Sequence, residues 1–147
     1  MLALGDSYTI GEALPLYENY PYQCVQLLRK AGYHFAAPEI IARTGWTTGE
    51  LEQGIGQTIL QASYDIVSLL IGVNNQYRGY PPEDYAAGFE RLLQQAIWKS
   101  PINVRPFVGV AKALSMTPRT LGPAWVDRVR SSCRCSAQSS RSRSLAA

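Results

Sequence analysis

The stretch Tyr64 to Gly72, "YDIVSLLIG", is apolar at nearly every position and closes on a glycine. Strands that face water on one side alternate apolar and polar residues, whereas an almost continuous apolar run of this length fits a strand buried on both faces. Helices must then cover both sides, and the chain supplies strand-like and helical stretches in alternation. "MLALG" (Met1 to Gly5) is a short apolar run that ends abruptly at its glycine, and "PEIIAR" reads as a second strand ending at Arg43. Between them, Pro21 is a favourable first-turn residue, Tyr22, Val25 and Leu28 share one helical face, and Gly32 is placed to cap the helix end.

"TTGELEQGIGQTILQAS" opens with Thr47 and Thr48 as cap candidates and Glu50 and Leu51 in the first turn. It carries Leu51, Ile55 and Ile59 at four-residue spacing, although Gly54 and Gly56 weaken a helix there. "PPEDYAAGFERLLQQAIWK" (Pro81 to Lys99) starts with prolines and acidic residues and lines Tyr85, Phe89, Leu92, Leu93 and Ile97 along one side. Strand, helix, strand, helix, strand, helix is the order of right-handed β-α-β units. The expected fold is therefore α/β, a three-layer α/β/α arrangement around a parallel, flavodoxin-like sheet. Functional loops in such sheets gather at the carboxyl ends of the strands, which brings together "GDSY", "TGWTT" and "GVNNQYRG".

Charge divides the chain. Through residue 100 six basic residues face ten acidic ones, a net charge of −4, while beyond it eight basic residues face Asp127 alone, a net charge of +7. "VRPFVGVAKAL" offers one more strand around Phe107 to Val110, and the end, "VRSSCRCSAQSSRSRSLAA", has the composition of a disordered segment. The expected organisation is a partial domain over residues 1–110, incomplete at its C-terminus, and a basic Ser/Arg-rich tail over 111–147. Two origins fit the break: a coding frame lost near residue 100, or a natural basic tail on a shortened domain. An unfinished sheet of this kind is expected to associate through its open edge.

The three cysteines show neither a disulfide nor a zinc framework: Cys24 reads as a small core residue, and the Cys133 and Cys135 pair lacks a second ligand pair. No metal or cofactor is expected. No run reaches the roughly eighteen apolar residues of a membrane span, and no secretory signal precedes the first strand, so the chain as written is expected in the cytoplasm, or in a secreted or periplasmic setting if an upstream segment precedes Met1.

Gly5, Asp6 and Ser7 place a hydroxyl between a strand and a helix, where free N–H groups of a first turn stabilise developing negative charge. Taken alone, G-D-S fits a helix cap as well as a nucleophile. Together with the other two loops, it resembles the SGNH (GDSL) hydrolases, a family of esterases and lipases. "GDSYTIGE" matches the block that carries the serine nucleophile, here Ser7; Gly45 in "ARTGWTTGEL" matches the glycine whose N–H faces the oxyanion; "LLIGVNNQYRG" resembles the G-x-N-D block, with Gly72, Asn74 and, where Asp is more usual, Asn75. These motifs cover about residues 1 to 100.

The resemblance implies an acyl-enzyme on Ser7, with the N–H groups of Ser7 and Gly45 and the side-chain amide of Asn74 as oxyanion donors. It implies a small ester, thioester or lipid acyl group as substrate. Tyr77, Arg78 and Tyr80 are candidates for lining the acyl or alcohol site. The fourth block of the family, D-x-x-H, is missing: Asp127 is followed by "RVR", and the only histidine, His34, precedes the second strand, at the opposite end of the sheet from Ser7. Trace activity is the expectation for this chain. The alternatives are a non-catalytic ligand-binding remnant, or polyanion binding through the basic tail with no specific nucleic-acid partner.

Overall fold

The structure is a computed structural model and describes residues 1–100. The strand expected around Phe107 to Val110, the tail from residue 111, Asp127, Cys133 and Cys135 lie outside the described residues.

Three strands, β1 (Leu2–Gly5), β2 (Glu39–Ala42) and β3 (Val67–Leu70), form a parallel sheet in the order β2-β1-β3. All four residues of the central strand β1 are buried, which explains why its sequence carries no polar alternation. The path runs from β1 outward to β2 and back across β1 to β3. Because such crossovers are right-handed, the two connecting helices fall on opposite faces. These are α2 (Tyr20–Lys30) and α3 (Thr48–Gly56), and α5 (Pro82–Trp98) packs beside α3 and against β3. This is the three-layer α/β/α fold that the alternation of elements implies.

The helices form where the sequence places their caps and apolar faces. α5 buries Tyr85, Phe89, Leu92 and Leu93 together with Gly88 and Ala96. Gly88 must be small, since a Cβ there would stand 2.7 Å from Thr48 Oγ1 on α3. In α2, Val25 is buried, Tyr22 and Leu28 are half-buried, and Gly32 takes the left-handed conformation (φ +91°) just past the helix end. Cys24 is half-buried and free.

Two expectations are revised. The apolar spacing carries a helix through Ile59, but α3 stops at Gly56, and Ile59 is 98% exposed. Gly54 and Gly56 favour that stop, and the Thr58 hydroxyl donates to the Gly54 carbonyl in place of a continuing turn. The third strand covers only Val67–Leu70 of the apolar run Tyr64 to Gly72, with the Ile66 carbonyl just ahead of it accepting from the Leu2 N–H at 2.8 Å. Tyr64 instead lies buried at its start, bonded through its N–H to the Lys99 carbonyl, and Gly72 turns away at φ +129°.

Gly5 is the most closely packed of the described glycines. A Cβ at this position would lie 2.0 Å from Thr9 Oγ1 and 2.4 Å from the Leu70 carbonyl oxygen, so only glycine lets the chain fold back over the end of β1 while β3 stays paired. Gly5→Ala is expected to destabilise the protein by about 2–3 kcal/mol in a denaturant titration. Gly49→Ala, whose Cβ would meet nothing within 4 Å, should be neutral or slightly stabilising. Equal stability of the two variants would contradict this packing.

Candidate active site

The strand register sets the site. Gly5 pairs with Ala42 on one side and with Leu70 on the other, so the three strands end level and release their loops at one pole of the sheet. Ser7 follows Gly5, Gly45 follows Ala42, and Asn74 follows Leu70, each within a few residues of its strand.

Ser7 is the first residue of α1 (Ser7–Ile10), a single turn closed by Gly11 at φ +68°. Its N–H stands in a first turn, where no intrahelical acceptor exists. Its half-buried hydroxyl makes no hydrogen bond among the described residues. Asp6 caps this turn, accepting from the Tyr8 N–H at 3.0 Å. Buried to 1% exposure, its carboxyl is pushed above the ordinary aspartate range by desolvation, an effect partly offset by the Tyr8 N–H. The far end of α1 is tied down by buried Asn19, which donates to the Ile10 carbonyl at 3.2 Å and caps α2 by accepting from the Tyr22 N–H at 3.0 Å. Asn19 escapes a reading that starts the helix at Pro21, although Asn two residues ahead of Pro is a legible start signal.

Gly45 occupies the third position of a turn in which the Trp46 N–H donates to the Arg43 carbonyl at 3.2 Å. Its φ of +79° is what a type II turn demands at that place and what glycine supplies without strain. The N–H of this residue has no acceptor among the described residues.

Asn74 lies on α4 (Val73–Tyr77), a short helix that follows Gly72 and grips the Gly45 loop at several points. The Asn74 side-chain amide donates to the Trp46 carbonyl at 2.9 Å, which leaves its second N–H uncommitted within the described residues. Asn75 is buried, accepts from the Thr48 N–H at 3.0 Å and donates to Thr48 Oγ1 at 2.9 Å. Thr48 can donate its own hydroxyl to an Asp at this position, so Asn75 makes the same connection without burying a charge. Arg78, one turn beyond Asn74, donates to the Gly45 carbonyl at 2.7 Å and to Glu50 at 3.3 Å.

Glu50 completes the assembly. It forms a capping box with Thr47, accepting from the Thr47 N–H and hydroxyl at 2.8 Å each, and these bonds together with Arg78 hold its carboxyl below the usual glutamate range. Tyr85 packs on Gly72, where a Cβ would come within 2.4 Å of the ring, and burial pushes its phenol up to about 12. Tyr77 and Tyr80 are exposed, whereas Arg78 turns back to the Gly45 loop. His34 is exposed in the segment that leads from α2 into β2, at the pole opposite Ser7, so the structure brings the Gly45 and Asn74 loops together and leaves His34 away from them.

Residues 3–142 match the family model of the GDSL-like lipase/acylhydrolase family. The chain belongs to this family. The match continues well past residue 100, where the legible motifs end, so the family assignment extends over much of the basic segment. Among solved structures, the chain is similar to AlinE4, an SGNH-hydrolase family esterase, at 26% identity over 65% of this chain and 53% of that one, with a TM-score of 0.51. It is similar in fold to TesA, at 17% identity over 91% of this chain and 72% of that one (TM-score 0.63). A further likeness is the psychrotrophic esterase EstA from Pseudoalteromonas sp., at 18% identity over 67% and 54% (TM-score 0.55). The chain thus spans about half the length of AlinE4. No curated protein sequence matches it. Among the described residues no helix is long and apolar enough to cross a membrane.

Desolvation of Asp6 gives the GDSL turn a pH signature. A carboxyl whose folded-state pKa is raised favours its protonated form in the folded chain, so stability is fullest below the ordinary aspartate range and falls as pH rises through the raised value. Asp6→Asn keeps an oxygen to cap α1 and removes the charge. Thermal unfolding measured from acid to neutral pH should show the variant gaining on the wild type as pH rises. A difference independent of pH would contradict a desolvated carboxylate.

Proposed function

We propose that this chain carries the nucleophile and oxyanion site of a serine ester hydrolase, with Ser7, Gly45 and Asn74 in the roles that the family motifs imply. The observation that carries the reading is the bond from the Asn74 amide to the Trp46 carbonyl. It ties the Asn74 and Gly45 loops together at the pole where Ser7 emerges, with the Gly45 N–H and the Ser7 hydroxyl unengaged among the described residues.

In the proposed reaction Ser7 Oγ attacks the carbonyl carbon of a small ester, thioester or lipid acyl group. The carbonyl oxygen takes up the negative charge and is met by the N–H groups of Ser7 and Gly45 and the free N–H of Asn74. The bond to the leaving group then breaks, the alcohol or thiol departs with the proton lost by the serine, and water releases the acyl group. Each oxyanion donor contributes on the order of 10²–10³ in rate.

The 147 residues hold no D-x-x-H to take the serine proton. Within this chain solvent must take that proton and return one to the leaving group, and turnover should stand only about 10³–10⁴ above the uncatalysed rate, as serine proteases lacking a triad partner do.

A fluorophosphonate probe and a panel of p-nitrophenyl esters test this. The chain should take up the probe slowly and hydrolyse short esters at a trace rate, and Ser7→Ala should abolish both. Labelling or hydrolysis that survives in Ser7→Ala would overturn the assignment. Binding of an ester without either reaction would favour a non-catalytic remnant.

A further inference from the structure

The family motifs leave Arg78 without a role, and its contacts supply one. Its Nη2 donates to the Gly45 carbonyl at 2.7 Å and its Nη1 to Glu50 Oε1 at 3.3 Å. The other oxygen of Glu50, Oε2, is committed to the N–H and hydroxyl of Thr47 at the start of α3. The guanidinium therefore spans from the rigid start of α3 to one carbonyl of the Gly45 turn, while Asn74 holds the next carbonyl, that of Trp46. Fixing the Gly45 carbonyl from outside orients the Gly45–Trp46 peptide and keeps its Trp46 N–H aimed at the Arg43 carbonyl, and that closed turn holds the Thr44–Gly45 peptide, which carries the Gly45 N–H. Gly45 needs such fixing more than other residues, since glycine at φ +79° has the broadest choice of alternatives.

We infer that Arg78 is a positioning residue for the oxyanion site, holding the Gly45 turn through the Gly45 carbonyl and Glu50 so that the Gly45 N–H faces the reacting pole. The inference rests on the proposed ester-hydrolase reading for its chemical meaning, but the clamp itself is testable without turnover. A planar fork is needed because two acceptors on different elements are reached at once, and a lysine ammonium acts as a point charge that satisfies one of them. The Arg78–Glu50 pair is substantially exposed, with side-chain exposures of 40% and 39%, so its removal should leave global stability nearly unchanged.

The test is amide hydrogen exchange by NMR on the whole chain. The Trp46 N–H, which closes the turn on the Arg43 carbonyl, should exchange about tenfold faster or more in Arg78→Ala as the turn opens locally. The Thr48 N–H, held by Asn75, should not change. Arg78→Lys should fail to restore protection, and Glu50→Gln, which weakens the anchor of the guanidinium, should reproduce part of the effect. Arg91→Ala removes an ion pair of the same kind, to Glu52 at 3.0 Å, and should leave Trp46 unaffected.

In the same variants, fluorophosphonate labelling of Ser7 should slow by about tenfold or more with the thermal midpoint unchanged, as expected for a displaced oxyanion donor. Trp46 protection that is unaltered in Arg78→Ala, or fully restored by lysine, overturns the clamp. Faster exchange with undiminished labelling overturns its role in positioning the donor. A wild-type chain that never labels counts against the ester-hydrolase reading, and the Trp46 exchange then still decides whether the clamp exists.

Discussion

The grip of α4 on the loop between β2 and α3 is the interaction on which the site depends. Asn74, Asn75 and Arg78 come from little more than one helical turn, and between them they hold the Gly45 and Trp46 carbonyls, the N–H and hydroxyl of Thr48, and Glu50. The parallel register brings these loops level, but strand pairing stops at Ala42 and Leu70 and fixes nothing beyond them. Past the sheet, side-chain bonds determine where the Gly45 turn sits. The buried pair between Asn75 and Thr48 is the energetic anchor, because breaking it strands buried polar groups at about 1–3 kcal/mol each. The exposed contacts of Arg78 contribute direction more than stability.

Polar groups left unengaged around this grip are the ones the proposed chemistry needs. The N–H of Gly45 and the hydroxyl of the half-buried Ser7 have no hydrogen-bond partner among the described residues, which leaves both open to the oxyanion and acyl roles proposed for them. The preceding residue shows the accompanying cost: Asp6 is buried beside Ser7 and desolvated, which is tolerable because its oxygen caps a helix that has only one turn. Gly5 and Gly72 serve the same compactness, the first admitting Thr9 and the Leu70 carbonyl, the second admitting the ring of Tyr85.

Much of the fold is legible in the chain because burial writes itself into long apolar runs. β1, β2 and β3 lie inside the three stretches that composition marks as strands, and the apolar line of α5 from Tyr85 to Leu93 is the buried one. Ile59 misleads because four-residue spacing measures only compatibility with a helix, and the two glycines before it matter more than the spacing. α4 is hidden for a different reason. Five residues are too few to show a period, so "VNNQY" reads as loop, although the glycines at 72 and 79 that flank the segment mark its limits. The positions of Ser7, Gly45 and Asn74 could be named from motifs, but Thr48 and Arg78 bind Asn75 and the Gly45 carbonyl through tertiary contacts that no local pattern announces. The chemical roles come from the family resemblance, and the structure adds the bonds that tie two of the three loops together.

The most direct check of this arrangement is an NMR measurement of nuclear Overhauser contacts among the Ser7 β-protons, the Gly45 amide proton and the Asn74 side-chain amide protons. Cross-peaks linking all three groups, together with one between the Asn74 amide and Trp46, are expected from loops gathered and gripped at a single pole. An Asn74 side chain in contact with neither Trp46 nor Gly45 would contradict the grip of α4 and with it the shared site.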